Sequence, residues 1–289
     1  MIIGISNLPA TYDGALMADL AADGTVTSEY SLDEQGVADI LRLDDGALVV
    51  CGCDAAFADD WHYGNIYLRS LEGAWTKKRT LENVIHCWGA CLHNGLLTVA
   101  TGAHIGDNAT WEARCYISSD WGDTWQHHYV CYYRIYDIAS FNGLLYATAW
   151  DWPDYKLYVS ADDGVTWSAV IGITPEPRIR MVEFDGYLVG VKSGGAGLWL
   201  IDSQGSVTTS AWPSNGGAVH QYNFNSLVVA GGALYVLATS KIWKLAAVGG
   251  EWAYHCDMGQ DCVSIGHFPG VGLIVSTKGT GAQIMKVAL

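Results

Sequence analysis

An eight-residue pattern, Ser-x-Asp-x-Gly-x-Thr-Trp, occurs twice in this chain, 42 positions apart. It spans Ser118–Trp125 and Ser160–Trp167, and each copy follows a short apolar segment typical of a β-strand. The Asp carboxylate can accept hydrogen bonds from backbone amides across a turn, and Gly adopts a positive φ without steric cost. The Thr-Trp pair then begins a returning strand. The pattern therefore predicts a tight hairpin, and its recurrence predicts a fold built from repeated hairpin units.

The repeat extends beyond these two hairpins. Six apolar segments each end in a Gly-containing turn and lead into a second apolar segment; they occupy residues 38–43, 86–92, 135–141, 181–184, 227–230 and 262–268. A third strand and the octapeptide, or a shortened form of it, complete most units. Units of four strands and roughly 37–49 residues are typical of the blades of a β-propeller. We predict an all-β fold in which residues 1–289 form a single β-propeller domain with six four-stranded blades.

The two ends of the chain complicate the blade count. The last unit has three strands, and residues 25–32 would supply its missing outer strand, so that both ends share one blade and no sheet edge is left open. However, residues 15–20, with the turn Ala22-Asp23-Gly24, also resemble a strand of a unit, and residues 283–287 compete for the same place in the last blade. Seven blades is therefore the alternative to six.

The octapeptide resembles the Asp-box, or BNR repeat, of the sialidase-like β-propellers. The matching residues are Ser118, Asp120, Gly122, Thr124, Trp125, Ser160, Asp162, Gly164, Thr166 and Trp167. In that family the Asp-box lies on the turn between the two outer strands of a blade, away from the usual ligand site. The resemblance therefore implies a structural role for these residues. The Gly-, Asp- and Trp-rich chain also resembles propeller domains of bacteriophage tail and fibre proteins, which implies a place in a virion.

Charge and hydropathy limit the partners that the chain can have. Thirty acidic against 15 basic residues give a net charge of −15, and no basic run is longer than Lys77-Lys78-Arg79. Since phosphate contacts need clustered Lys and Arg, nucleic acid is not expected as a partner. No apolar stretch of about 18 residues predicts membrane insertion. The first residues lack the features of a signal peptide. We expect a soluble protein, located in a virion or in the cytoplasm.

Eight cysteines are present, and in a chain without a secretory signal they predict buried free thiols. A disulfide between Cys256 and Cys262 is the alternative. Because no C-x2-C pair has a matching second pair or a His-x3-His partner, we expect neither a metal site nor a cofactor.

Aromatic residues beside carboxylates and amides recur in the loops at residues 54–64, 104–112 and 150–155. Aromatic rings stack on the apolar face of a pyranose and acids bind its hydroxyls, so these loops predict a glycan site; aromatics are also enriched where proteins bind one another. Three arginines precede or begin the first strands of neighbouring units. The candidate ligand-binding residues are Trp61, His62, Tyr63, Trp111, Trp150, Trp152, Tyr155, Arg134, Arg178 and Arg180.

Three functions remain open on the sequence. We predict a non-enzymatic binding or structural module for a glycan or a partner protein, with a sialidase-like glycoside hydrolase as the first alternative and an intracellular assembly scaffold as the second. The family's arginine triad, acid/base Asp and Tyr–Glu pair find matches by residue type only, in Tyr136, Asp151 and Glu183. Its early Arg-Ile-Pro segment is missing, and we assign no catalytic residue. A homo-oligomer and incorporation into a larger complex are both compatible with the sequence.

Overall fold

A computed structural model describes residues 2–5, 15–21, 23, 25–55, 63–82, 84, 86–102, 112–176, 178–195, 197–211, 213, 219, 225–277 and 284–289. These ranges contain 26 β-strands and no helix, so none of them provides a helix that could cross a membrane. The chain divides into two compact units: Met1–Asp154 with Tyr158–Ser168, and Tyr155–Leu157 with Ala169–Leu289. The assignment of the whole chain to one domain stays a prediction.

The first 15 strands are consecutive antiparallel meanders. An N-terminal sheet has the order β1 (Ile2–Ile5), β2 (Leu16–Leu20) and β3 (Val26–Ser31). Three four-stranded meanders follow. They consist of β4 (Glu34–Arg42), β5 (Leu48–Ala55), β6 (Tyr63–Arg69) and β7 (Trp75–Glu82); β8 (His86–His93), β9 (Leu96–Gly102), β10 (Ala113–Ser118) and β11 (Gln126–Cys131); and β12 (Arg134–Phe141), β13 (Leu144–Asp151), β14 (Asp154–Ser160) and β15 (Ser168–Ala169).

The remaining strands repeat this arrangement. Two further four-stranded sheets and a three-stranded one are described. They consist of β16 (Val182–Phe184), β17 (Tyr187–Val191), β18 (Gly197–Ile201) and β19 (Val207–Ala211); β20 (Leu227–Ala230), β21 (Ala233–Ala238), β22 (Lys241–Leu245) and β23 (Trp252–Asp257); and β24 (Cys262–Phe268), β25 (Gly272–Thr277) and β26 (Ile284–Val287).

The turns between the first and second strands have the predicted chemistry. At Asn94-Gly95 the two φ angles are 49° and 79°, and at Asn142-Gly143 they are 50° and 75°. Two successive positive φ angles define the type I′ hairpin turn, which favours Asn-Gly because its twist matches that of the flanking strands. The all-β fold with four-stranded antiparallel units is therefore confirmed.

The chain ends pair differently from the expectation. Val26–Ser31 pairs with Leu16–Leu20, its neighbour across a short turn, and Ile284–Val287 forms the third strand of the C-terminal sheet. Among the described residues the strand partner of Val26–Ser31 is Leu16–Leu20, so the predicted role of residues 25–32 as the outer strand of the last blade is not what this pairing gives. A short connection makes the local hairpin entropically cheap. Seven strand groups among the described residues favour the seven-blade alternative, and the blade count stays a prediction.

Apolar side chains fill the space between successive sheets of the first unit. Val49, Cys51 and Ile66 of one meander meet Cys87 and Val99 of the next, and all five are fully buried. A second cluster is formed by members of the β8–β11 and β12–β15 meanders, with Cys115, Ile135 and Ala147 at its centre. Such layers bury the facing sides of neighbouring sheets, so the strand ends and loops at the sheet edges are candidate places for a ligand site.

Candidate functional site

One edge of the sheets in the first unit collects strand ends that are far apart in sequence. Cys53 near the end of β5 pairs with His86 at the start of β8. Gly102 at the end of β9 pairs with both His86 and Arg134. Arg134 also pairs with Trp150 on β13. We call this the loop edge, because the connections from β5 to β6 and from β9 to β10 begin there. The opposite edge, with Asn94-Gly95 and the octapeptides, is the turn edge.

Seven side chains at the loop edge form a continuous series of ring contacts. We name this group the aromatic–arginine cluster; its members are His86, Trp88, Tyr133, Arg134, Tyr136, Trp150 and Trp152. The ring centroids of Trp88 lie 4.7 Å from those of His86 and 5.3 Å from those of Tyr136. Tyr133 meets Trp150 edge-on at 4.5 Å. Trp150 in turn lies 5.4 Å from Trp152.

Arg134 links the two halves of the cluster. Its guanidinium carbon lies 5.9 Å from the ring centroid of Trp88 and 5.1 Å from that of Tyr133. Such contacts are attractive because the ring faces are electron-rich. Within the described ranges Arg134 has no ion pair, and its Nε is buried without a hydrogen-bond partner. The cation is therefore held by aromatic faces and retains hydrogen-bond donors that are not used there.

Trp152 is the exposed end of the cluster. Its side chain follows β13 in the turn into β14, and 60% of the residue's surface is accessible to solvent. Trp150, two residues earlier, is half-buried. An indole that is supported from one side and open on the other offers a flat apolar surface to a ligand.

Two β-bulges bring Trp88 and Tyr136 into contact. The register of β8 against β9 shifts between Cys87 and Gly89, and that of β12 against β13 shifts between Ile135 and Asp137. In a bulge, the side chain of the extra residue points in a different direction from that expected if side chains alternated regularly between the two faces of the sheet. His86, Trp88 and Tyr133 were not predicted from the sequence as site residues. The only local signal for Trp88 was a bulky residue next to Gly89, which leaves room for a neighbouring strand.

Two acids near the cluster, Asp151 and Asp137, have contacts within the fold. Asp151 accepts a hydrogen bond from the Tyr132 amide (3.0 Å) and one from the Tyr158 hydroxyl (2.7 Å). Burial, together with the Asp151 carboxylate, raises the pKa of Tyr158 far above its usual range. Asp137 is buried against Gly89, where an added Cβ would lie 3.1 Å from its Oδ1. The Asp151 carboxylate thus links the segment before β12 to β14, and the Asp137 carboxylate is buried between strands.

The structure describes only some of the other predicted ligand-binding residues. Trp61, His62 and Trp111 lie outside the described residues, and of Tyr63 only the backbone, at the start of β6, is described. Tyr155 is half-buried on β14. Arg178 and Arg180 precede β16 in the second unit, so the grouping of three arginines stays a prediction.

That arginine segment contains a buried acid. Glu176 is almost inaccessible to solvent, and its burial raises its pKa, whereas an amide hydrogen bond and the charge of Arg178 oppose the rise. Burial lowers the pKa of Arg180 to about 10. Glu183, the remaining acid considered for catalysis, is exposed on β16.

The two octapeptides form equivalent hydrogen-bonded turns at the turn edge. In the first, the Thr124 amide and hydroxyl donate to the Asp120 carboxylate at 2.8 and 2.6 Å, and Ser118 Oγ donates to it at 2.8 Å. Gly122, with φ of 87°, donates its amide to Ser118 Oγ at 2.7 Å. These bonds to the ionised form lower the pKa of Asp120 to about 2.

The second octapeptide repeats these contacts. Asp162 accepts from the Thr166 amide and hydroxyl at 2.8 and 2.6 Å, and its pKa is likewise about 2. The shortened turn at Asp202 keeps only the amide bonds, from Gln204 (2.9 Å) and Ser206 (2.8 Å). The Asp-centred turn geometry predicted from the pattern is thus observed.

Neighbouring meanders are joined to these turns. His93, buried at the end of β8, contacts Ser140 Oγ through Nδ1 (2.8 Å) and Asp163 Oδ1 through Nε2 (3.0 Å). The Asn94 amide also donates to Asp163 (2.7 Å). Lys78 on β7 forms an ion pair with Asp123 of the first octapeptide. The octapeptides therefore tie adjacent sheets together at the edge opposite the aromatic–arginine cluster.

Metal-ligating and thiol groups are dispersed. The described residues contain no group of three or more His, Cys, Asp or Glu side chains that could hold a metal ion. All eight cysteines are free, and the predicted alternative of a Cys256–Cys262 disulfide is not present. Five of the thiols are buried; Cys53, Cys91 and Cys256 are partly exposed.

Comparison with known proteins identifies the fold. No protein-family model matches the chain, and no curated protein sequence matches it. Among solved structures, an inactive variant of virginiamycin B lyase from Staphylococcus aureus, solved with quinupristin, has 15% identity and a TM-score of 0.65 over 96% of each chain. A streptogramin B lyase has 13% identity and a TM-score of 0.59, over 90% of this chain and 85% of that one.

A glycoside hydrolase has a similar fold. The α-L-arabinofuranosidase of Fusarium graminearum, in complex with an iminosugar inhibitor, has 16% identity and a TM-score of 0.55, over 86% of this chain and 93% of that one. These proteins are β-propellers, and the likeness to them confirms the predicted fold class. At such identities the fold alone is shared, and the structures similar to this chain include both lyases and a hydrolase.

Proposed function

We propose that this β-propeller is a binding protein that holds a glycan at the aromatic–arginine cluster without chemical turnover. The observation that carries the proposal is Trp152, an indole that is 60% exposed, supported by Trp150 and joined through Tyr133 to an arginine. Exposed aromatic rings on a preformed edge fit the apolar face of a sugar ring.

The positively charged side chain of Arg134 favours a ligand that can accept hydrogen bonds. Arg134 has no ion pair among the described residues, and its guanidinium lies near the rings of Trp88 and Tyr133. A sugar ring stacked near Trp150 and Trp152 would bring hydroxyl oxygens, which accept such hydrogen bonds. Stacking and hydrogen bonding together favour a glycan over a purely apolar ligand.

The engagement of the nearby carboxylates supports binding without turnover. Glycoside hydrolysis needs two carboxyl groups, or a tyrosine with its base and an acid, on either side of the scissile bond. Both oxygens of Asp151 accept hydrogen bonds within the fold, and Asp137 is buried against Gly89. Neither acid is placed to exchange protons with a ligand over Trp152.

We also propose a protein family and a location for this chain. The octapeptide turns resemble the Asp-box of sialidase-like propellers, and the hydrogen bonds of Asp120 and Asp162 support this assignment. We assign the chain to a virion as a tail or fibre module on the basis of its Gly-, Asp- and Trp-rich sequence alone. An assembly scaffold that binds a protein at the same edge is the outcome if no glycan binds.

The experiment compares two exposed tryptophans. A glycan array identifies ligands, and a titration then compares Trp152→Ala with Trp121→Ala, since Trp121 is 43% exposed at the turn edge. Loss of a stacking anchor at Trp152 should weaken binding by about 1–3 kcal/mol, or roughly 5- to 150-fold. The Trp121 variant should bind normally. Equal affinity of both variants would move the site away from the cluster.

A glycoside hydrolase is the second candidate. It is favoured by the position of Tyr136, a residue of the type that serves as nucleophile in sialidases, within the cluster and in contact with Trp88. A panel of fluorogenic glycosides tests it. Turnover that disappears in Tyr136→Phe, with the fold retained, would replace binding by hydrolysis as the function.

A further inference from the structure

One thiol at the loop edge has an imidazole beside it. Cys53 Sγ lies 3.5 Å from His86 Nδ1, and the backbones of the two residues are paired between β5 and β8. His86 is also paired with Gly102, and its ring packs on Trp88 at 4.7 Å. Strand pairing on both sides and the indole beneath thus fix the imidazole against the thiol.

The other thiols in the described structure have different surroundings. Cys51, Cys87 and Cys115 are fully buried, and burial raises their pKa far above the usual range. Cys91 contacts the Thr98 hydroxyl, and burial raises its pKa to about 12. A thiol that is partly exposed and lies beside a base has the properties of a reactive cysteine. Cys53 has both of these properties.

We propose that Cys53 forms a nucleophilic thiol–imidazole pair with His86 of the aromatic–arginine cluster, which makes Cys53 a site of covalent modification by small disulfides. The inference is independent of the glycan proposal, because it rests on the contact between Sγ and Nδ1 and on the partial exposure of Cys53.

The modification is a thiol–disulfide exchange. The Cys53 proton passes to His86 Nδ1, and the thiolate attacks one sulfur of a low-molecular-weight disulfide. A new sulfur–sulfur bond forms at Cys53 while the original one breaks. The leaving thiolate takes the proton from His86, so that one mixed disulfide and one free thiol result. Cys53 is oxidised and the small disulfide is reduced.

The test uses the folded protein and 5,5′-dithiobis(2-nitrobenzoate) as the disulfide, with the released thiolate followed by absorbance. We expect one thiol to react ahead of the others, and peptide mass mapping after one equivalent should place the label on Cys53. Cys53→Ser should remove the fast phase. Cys256→Ser is the matched control, since Cys256 is also partly exposed and has no imidazole contact in the described ranges. It should leave the fast phase intact.

A second variant tests the role of the imidazole. His86→Asn should slow the labelling of Cys53 by about tenfold or more, because this variant lacks the base that accepts the thiol proton. If His86→Asn is unstable, peptide mass mapping of the unsubstituted protein still shows whether Cys53 is labelled first. A first label on Cys256 or on several cysteines at once, or an unchanged rate in folded His86→Asn, would overturn the proposal. A fast phase confined to Cys53 and slowed in His86→Asn supports it.

Discussion

Two side chains of the aromatic–arginine cluster pack against Gly102, and this makes Gly102 the sharpest test of how the site is built. A Cβ added at Gly102 would lie 2.7 Å from Trp88 Nε1 and 2.9 Å from Arg134 Cγ. Real Cβ atoms do not approach heavy atoms so closely, so Gly102→Ala has to displace both side chains. The φ angle of Gly102 is outside the left-handed region. The cost is therefore steric and not conformational.

The expected magnitude follows from how little the neighbours can move. Arg134 is paired with Gly102 through the backbone, and its Cβ lies only 3.1 Å from the new methyl group. Trp88 is held by the bulge in β8 and by ring contacts on two sides. Overpacking of a site of this kind costs about 1–3 kcal/mol in the free energy of unfolding. Each kcal/mol lowers the melting temperature by about 2–4 °C in a domain of roughly this size.

The assay is chemical denaturation of the variant beside a matched control. Gly266 on β24 is also a strand glycine with an ordinary φ, and its added Cβ would meet only Phe268 Cε2, at 3.7 Å. Gly266→Ala should therefore be within about 0.5 kcal/mol of the unmodified protein. In addition, Trp88→Phe removes the nearest clashing atom, so its combination with Gly102→Ala should recover part of the loss.

Two outcomes would refute this reasoning. If Gly102→Ala is as stable as Gly266→Ala, the Trp88 and Arg134 side chains are not closely packed against Gly102. If the effects of Gly102→Ala and Trp88→Phe simply add, the loss has a cause other than contact with the indole. A ligand found on the array should also bind Gly102→Ala more weakly, since the guanidinium and indole would be displaced.

Two further predictions concern the turn edge. Asp162→Ala should lower the stability while leaving ligand affinity unchanged, because Asp162 bonds only within its own turn. Since the pKa of Asp162 falls from 3.8 to about 2 on folding, its contribution is present above about pH 4 and lost as the pH falls through 2; denaturation curves of the two proteins should converge over that interval, and a constant gap would contradict the assignment. His93→Ala removes a buried side chain that bridges Ser140 and Asp163, and should cost about 1–3 kcal/mol by calorimetry; an unchanged melt would mean that the bridge does not stabilise the fold.

The turns and strand order could be predicted because their causes are local. Asn94-Gly95 dictates a type I′ turn through its φ preferences, and Asp120 finds its partners within four residues. The octapeptide therefore specifies its own hydrogen bonds wherever it occurs. The role of residues 25–32 was not predictable in the same way. Both pairings satisfy the alternation of that strand, and the short turn after Leu20 favours the local one.

Only some members of the aromatic–arginine cluster could be predicted from the sequence, for a related reason. Trp150 and Trp152 follow a recognisable strand and lie where the loop composition placed them. Trp88 belongs to the first strand of its meander, and the sequence of that strand is typical of a buried core strand. Its place in the cluster depends on the bulge in β8 and on the space left by Gly102. Contacts between residues 11 or more positions apart decide both features, and a single sequence does not carry them.

Different contacts stabilise the turn edge and the loop edge of the first unit, and this affects how the sequence of such a protein can diverge. At the turn edge, Asp123 and Asp163 bind side chains of the preceding meander, so a substitution there alters two sheets at once. At the loop edge the strands end in connections of differing length, and Trp152 in the connection from β13 to β14 makes a ring contact with Trp150. Recognition can therefore diverge by exchange of loop-edge segments while the turn edge preserves the scaffold. Grafting a foreign loop between β13 and β14 should yield a folded protein with a new ligand.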